Sequence, residues 1–307
     1  MSKVVKKPFI IVMRAVAGVA LFFATTLFGI MAAGATEASP RAYQETVVSN
    51  GGTLTGRVIL AGALHAPRAF KASLAPFSDF CQKIANSKGV VELQEYTVDN
   101  TGGMQDVIVA VRNVTSGKPF APITTRLIAS DCMFHPAEVS HHAMYETDTH
   151  GSVRHLHPLV TVFEESQVFS VINRDPIFHN AQVYQKETGH IVLNIPMPAL
   201  QNDPMNGTLR FERRGKTAQV VCGMHPYMQT FGMIVNNPYY AKTDRQGGFA
   251  IDQLPPGTYT VSVWHPRFKT IEKEVTVSAH EKATLNVEFQ ASNARQHIFE
   301  SAESIRH

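Results

Sequence analysis

Short apolar runs separated by turn residues dominate the chain from Gly52 onward. The runs are rich in Val, Ile, Thr and Phe, which favour pleated, half-buried strands, while Gly, Asn, Asp and Pro between them favour turns. Many short strands without interleaved helical patterns predict an all-β fold. The predicted strands are 53–60, 106–114, 159–163, 168–173, 191–195, 217–222 and 231–235, and the predicted turns are 100–103, 202–204 and 206–207.

A second set of β-sandwich signals follows residue 237. The stretch TDRQGGF from Thr243 predicts a hairpin turn that enters a strand, and LPPGTY from Leu254 predicts another turn. Residues 259–264 then alternate as a strand with one buried face. These motifs resemble the carboxypeptidase-regulatory or prealbumin-like β-sandwich module over residues 240–290.

That resemblance implies a role in packing or recognition. Because such a module usually needs about 80 residues, its opening strand would come from 52–60 or from 106–114. We therefore predict a smaller β-sandwich at 238–290 and a polar tail at 291–307.

The N-terminus has the pattern of an export signal. Four basic residues precede an apolar run over 15–33, and small residues at 33 and 35 suit signal-peptidase cleavage. The same run is also nearly long enough to be an uncleaved membrane anchor. We predict a signal peptide at 1–35 and a linker at 36–50, which places the mature protein in the periplasm, or on the inner membrane if the segment stays uncleaved.

The charge balance argues against nucleic acid as a partner. The chain has 28 basic and 25 acidic residues, and removal of the signal would leave 24 basic and 25 acidic ones. A nearly neutral protein without a long basic cluster lacks the electrostatic features of nucleic-acid binding.

One short stretch carries metal-binding chemistry. Cys222, His225 and Met228 fall within seven residues, between the end of one predicted strand and the start of the next. A thiolate and an imidazole with two residues between them can converge on one ion, and a thioether three residues further can approach along an axis. A second histidine would complete the trigonal set that favours copper over tetrahedral zinc. His179, after the predicted strand at 168–173, is the best upstream candidate.

The stretch NRDPIFHN, from Asn173 to Asn180, strengthens that choice. Together with the Cys-His-Met loop and the closing strand, it resembles cupredoxins of the plastocyanin, pseudoazurin and amicyanin type over residues 155–237. The resemblance implies a Greek-key β-sandwich at 51–237, including an N-terminal β extension. It also implies one blue copper ion with three equatorial ligands and one weak axial ligand, an upstream asparagine that ties the ligand segments together, and a ligand histidine near the surface as the electron exit. In this chain the resemblance makes His179, Cys222 and His225 the equatorial ligands and Met228 the axial ligand. The asparagine is Asn180, and the electron exit is His225.

The three cysteines predict one disulfide and one free thiol. In an oxidising compartment Cys81 and Cys132 would pair, which leaves Cys222 for the metal. An alternative comes from CMFHP at 132–136, which repeats the order of Cys, Met, His and Pro in CGMHP at 222–226 and could form half of a second metal site.

Histidines are also concentrated between residues 135 and 157. Six of them fall within 23 residues, and the polar residues between them equally fit an exposed loop. Neutral imidazole binds both copper and zinc, so an auxiliary metal site is the functional alternative. The candidates are His135, His141, His142, His150, His155 and His157.

These patterns predict an exported blue-copper electron carrier and no enzyme. Four protein ligands leave no open metal position for a substrate, and the motif shows no nucleophile with its base. The expected partner is a periplasmic redox protein such as a c-type cytochrome, a dehydrogenase or an oxidase. The alternatives are a periplasmic copper carrier or sequestration protein without a redox role, and a recognition protein whose C-terminal module does the work.

Overall fold

A computed structural model gives the arrangement of the chain. It describes residues 43–136, 145–147, 153–212 and 216–295, and for 145–147 and 153–155 the backbone alone. The predicted export signal lies outside the described residues. No helix within the described ranges is long and apolar enough to cross a bilayer. The regular secondary structure of these ranges is nearly all strand, which confirms the all-β fold class.

A two-sheet sandwich forms the middle of the chain, and side chains of both sheets share one buried core. The larger sheet has the order β11 (Leu159–Glu164), β17 (Gln229–Val235), β16 (Thr217–Cys222), β13 (His179–Gln185) and β14 (Ile191–Met197). The smaller sheet has the order β15 (Met205–Arg210), β12 (Ser166–Asn173), β7 (Thr125–Ser130) and β8 (Met133–Pro136).

Strand register in the larger sheet brings distant residues together. Strands β13 and β16 are antiparallel, and Ala181 pairs with Cys222. The beginning of β13, at His179, therefore lies beside the end of β16. Strand β17 is buried along its whole length because one face joins this core and the other packs on strands of the C-terminal module.

The C-terminal module takes strands from both predicted donor segments. One sheet has the order β18 (Tyr240–Lys242), β5 (Ile108–Val111), β20 (Gly257–Trp264) and β21 (Ile271–Val277), and the other has β19 (Gly248–Leu254), β2 (Gly52–Ala61) and β22 (Lys282–Gln290). Strand β2 pairs with β22 in parallel over nine residues. The two sheets enclose a core of their own.

A further four-stranded sheet carries a short helical segment that was not predicted from the sequence. The sheet has the order β3 (Arg68–Lys71), β4 (Val90–Leu93), β10 (Val153–Leu156) and β9 (Tyr145–Thr147), while β1 (Gln44–Glu45) pairs with β6 (Ser116–Gly117). Between β3 and β4 lie a 3-10 turn (Ala72–Leu74), helix α1 (Ser78–Cys81) and a 3-10 turn (Gln82–Ile84). We call residues 72–85 the cap. A further 3-10 turn spans Ala291–Asn293.

One predicted turn is wrong. Asn206 and Gly207 lie inside β15, where they pair with Ser170 and Phe169. The absence of a side chain at Gly207 lets Leu193 pack closely against β15, since a Cβ atom at this position would come within 2.7 Å of the Leu193 side chain.

Candidate metal centre

Two strand ends and a tight loop position three of the predicted ligands. Along β16 the inward side chains are Ala218, Val220 and Cys222, so alternation directs the thiol into the core. The loop then closes on itself: the His225 N–H donates to Cys222 O at 3.2 Å, and the Cys222 N–H donates to Met228 O at 2.9 Å. The structure thus brings together His179, Cys222 and His225.

The three ligand atoms form a nearly equilateral triangle. His179 Nδ1 and His225 Nδ1 are 3.2 Å apart, and Cys222 Sγ lies 3.7 Å from the first and 3.6 Å from the second. Such a triangle has a point about 2.0 Å from every corner, which matches metal–nitrogen bonds and is slightly short for a metal–sulfur bond. One metal ion fits among these atoms with little adjustment.

Asp175 anchors the first imidazole from outside. Its Oδ2 lies 2.8 Å from His179 Nε2, and the carboxylate also accepts the N–H groups of Asp131 and Cys132. Burial opposes ionisation of Asp175, but hydrogen bonds from His179 and from both N–H groups lower its pKa below the ordinary value. The carboxylate leaves Nδ1 of His179 to face the thiol and raises the basicity of that nitrogen as a ligand.

The cap anchors the second imidazole. His225 Nε2 lies 2.8 Å from Pro76 O and 3.5 Å from Cys81 Sγ, and the His225 ring is completely buried. The expectation of a ligand histidine near the surface is therefore wrong for His225. The physical reason is the cap, a segment outside the cupredoxin-like stretch that covers the imidazole.

The surroundings of Cys222 favour the thiolate form of its side chain. Burial would raise its pKa, but hydrogen bonds with His179 and His225 and from the Asn180 backbone outweigh that effect and lower the pKa to about 6. A thiolate is the form of cysteine that binds metals. Burial would lower the pKa of His179, but hydrogen bonds and charge interactions with Asp175 and Cys222 outweigh burial and raise it.

The predicted supporting residues take distinct places. Met228 is buried in the core at the end of the loop. Asn180 links the ligand segments through its backbone, because its carbonyl accepts the Gly223 N–H at 2.9 Å. Its side chain donates instead to Asn194 of β14.

The predicted disulfide is present. Cys81 and Cys132 are bonded, and Cys222 is the free cysteine. Because Cys132 is consumed in this bond, the alternative in which it forms half of a second metal site is wrong.

The histidine-rich segment is described in part. His135 is buried in β8, and His157 Nδ1 lies 3.2 Å from Thr97 Oγ1. Within the described ranges, no group of three metal-binding side chains includes either residue. His141, His142, His150 and the side chain of His155 lie outside the described residues.

Comparison with known proteins bears on the two sandwiches separately. Residues 233–290 match the carboxypeptidase regulatory-like domain. This confirms the predicted resemblance for that part of the chain, and the carboxypeptidase regulatory-like region contains all of β18 to β22. No curated protein matches the chain.

Several solved cupredoxins resemble part of the chain. A purple cupredoxin from Nitrosopumilus maritimus is 16% identical and covers 36% of this chain and 99% of its own, with a TM-score of 0.22. A reduced Cu(I) form of an amicyanin mutant is 17% identical and covers 41% and 98%, also with a TM-score of 0.22. Likenesses this distant say nothing about what this chain binds.

The groups that bind the outer nitrogens of the two imidazoles were not predicted from the sequence. Asp175 stands four residues before His179, a spacing that could have identified it as the partner of that imidazole. The cap gives no comparable signal, because its contact with His225 joins residues 149 positions apart.

Proposed function

We propose that His179, Cys222 and His225 hold one copper ion, with Met228 as a weak fourth ligand, and that the protein carries single electrons. The observation that carries the proposal is the triangle of two imidazole nitrogens and one thiol sulfur around a point at bonding distance. Two imidazoles with one thiolate in a trigonal arrangement are characteristic of blue-copper sites.

The surroundings of the ligands support electron transfer. Both imidazoles are fixed by hydrogen bonds at the nitrogen that faces away from the metal position, one through Asp175 and one through Pro76. Copper bound there would supply a one-electron couple. Imidazoles held by these hydrogen bonds would keep the change in copper coordination between the two oxidation states small. Both histidines are completely buried, and four protein ligands would leave copper no open position for a substrate, so we propose no enzymatic role.

We further propose that the protein works in the periplasm, free or anchored to the inner membrane by its N-terminal segment. The buried disulfide suits an oxidising compartment. The proposed partner is a periplasmic c-type cytochrome, dehydrogenase or oxidase.

Copper titration combined with redox cycling tests the proposal. Mature protein given Cu(II) should bind one equivalent at this centre, develop an intense visible band from thiolate-to-copper charge transfer, and lose and regain the band through repeated reduction and oxidation. Tight, colourless binding of Cu(I) without reversible cycling would contradict electron transfer and favour a copper carrier.

A further inference from the structure

The cap closes the direct route from a ligand histidine to solvent. His225 has no exposed surface, and its outer nitrogen is hydrogen-bonded to Pro76 O at 2.8 Å. The outer nitrogen of His179 meets Asp175, which is itself buried. If copper transfers electrons here, as proposed above, those that leave through an imidazole must cross protein atoms beyond it.

One path beyond His225 leads to an exposed aromatic ring, whereas the nearer Tyr227 ring, 5.7 Å away between centroids, is buried. Pro76, whose carbonyl receives the imidazole, is bonded to Phe77, and the Phe77 ring lies 6.5 Å from the His225 ring between centroids. Phe77 is 45% exposed. Its backbone has φ of +56°, which bulky residues rarely adopt. The cap is held in place by the Cys81–Cys132 disulfide.

The outer surface of the cap suits contact with another protein. Leu74 is 73% exposed and, with Pro76 and Phe77, gives an apolar centre. Residues 71–88 contain three lysines and one aspartate, and Lys83 is paired with Asp131, so lysines exceed carboxylates here by one. Apolar surface bordered by excess positive charge complements a partner with an apolar centre and a carboxylate rim.

The rival route leaves through the ligand loop. Pro226, next to His225, is exposed and lines a cleft of about 440 Å³ together with Gln182, Lys186 and the proposed ligand Cys222. A macromolecule meets the rim of such a cleft more readily than its lining.

We propose that the cap surface formed by Leu74, Pro76 and Phe77 is where the protein docks an acidic-rimmed redox protein, and that electrons pass between this surface and copper through Pro76 and Phe77 to His225. The ligand loop then serves the metal and not the partner.

Electron self-exchange between oxidised and reduced copies of the copper-loaded protein tests this surface without an identified partner. Each of three variants adds one lysine: Leu74→Lys on the cap, Gln182→Lys in the cleft, and Ile191→Lys as the matched control. Ile191 is an apolar residue, 51% exposed, and pairs with the end of β13 that is remote from His179. NMR line broadening in mixed samples gives the exchange rate, and the visible band reports whether the copper site is intact.

At low salt Leu74→Lys should slow exchange about tenfold, because two copies would bring the added charges together, and salt should relieve the effect. The other two variants should stay within about twofold of the parent protein. Slowing by Gln182→Lys alone, or equal effects of all three, with the visible band intact, would overturn the cap assignment while leaving the copper function in place. Absence of the band from the parent protein would remove the copper function and this inference together.

Discussion

At Cys222, burial and hydrogen bonding act on the thiol in opposite directions, and hydrogen bonding dominates. In metal-free protein the thiolate should therefore form through a pH of about 6, well below the ordinary value of 9.0. The stability that the thiolate contributes is complete above the ordinary pKa and is lost as the pH falls through about 6. Copper affinity should weaken below the same pH, because protons then compete with the metal.

Ultraviolet absorbance of the thiolate, followed against pH, checks this prediction. Cys222→Ser is the control that identifies the signal, since Cys81 and Cys132 do not titrate while bonded. A midpoint near 9 would show that the imidazoles do not stabilise the thiolate.

Asp175 is predicted to position His179 for the metal. Asp175→Asn removes the charge that holds the imidazole and should lower metal affinity about 10- to 100-fold. Competition with a chelator measures the affinity. Asp79→Asn, the same change at an exposed position on α1, should leave it unaltered. Equal affinities of the two variants would show that Asp175 supports the fold alone.

Met228 and Cys222 should respond differently to substitution, because an axial thioether binds weakly and a thiolate strongly. Cys222→Ser should abolish the charge-transfer band. Met228→Leu should retain copper and colour and raise the reduction potential, since loss of a weak donor destabilises Cu(II) relative to Cu(I). Voltammetry of the loaded protein measures the potential. An unchanged potential and spectrum would make Met228 a packing residue.

Among the elements, the disulfide has the largest expected effect on stability. It closes a loop with a sequence separation of 51 residues, and in the chain-entropy model such a bond contributes about 4 kcal/mol. The double variant Cys81→Ala, Cys132→Ala should lose stability of that order in denaturant unfolding of the metal-free protein. A loss below about 1 kcal/mol would mean that the unfolded chain is already compact.

The local sequence pattern predicted where strands lie better than it predicted which strands pair. Residues 217–222 were predicted as a strand and form β16 with the same bounds. Strand β13 was missed because the polar residues His179 and Gln185 occupy buried positions at its two ends, which interrupts its apolar alternation. Asn206 and Gly207 look like a turn locally, and packing against β12 and Leu193 makes them part of a strand.

At the scale of the whole molecule, the two sandwiches are interleaved along the chain. Strands β2 and β5 precede the central sandwich in sequence and yet lie in the sheets of the C-terminal module. Sequence analysis identified both segments as possible donors, and local pattern could not choose between them because their pairing joins residues more than a hundred positions apart.

A chain ending at residue 237 should therefore fail to give a stable protein. It would lose β18 to β22 and expose the apolar faces of β2, β5 and β17. A chain ending at residue 295, which keeps β22, is the matched control. Heteronuclear NMR spectra should show dispersed signals for the longer chain and not for the shorter one. A well-dispersed spectrum from the shorter chain would contradict this dependence on the C-terminal strands.

The central claim is that two imidazole nitrogens and one thiolate hold a single copper ion. X-ray absorption at the copper edge, on protein loaded with one equivalent, measures this ligand set directly. We predict two short nitrogen bonds and one short sulfur bond that change little between the oxidised and reduced forms. A first shell of nitrogen and oxygen without sulfur, or one that loses a histidine on reduction, would contradict the account.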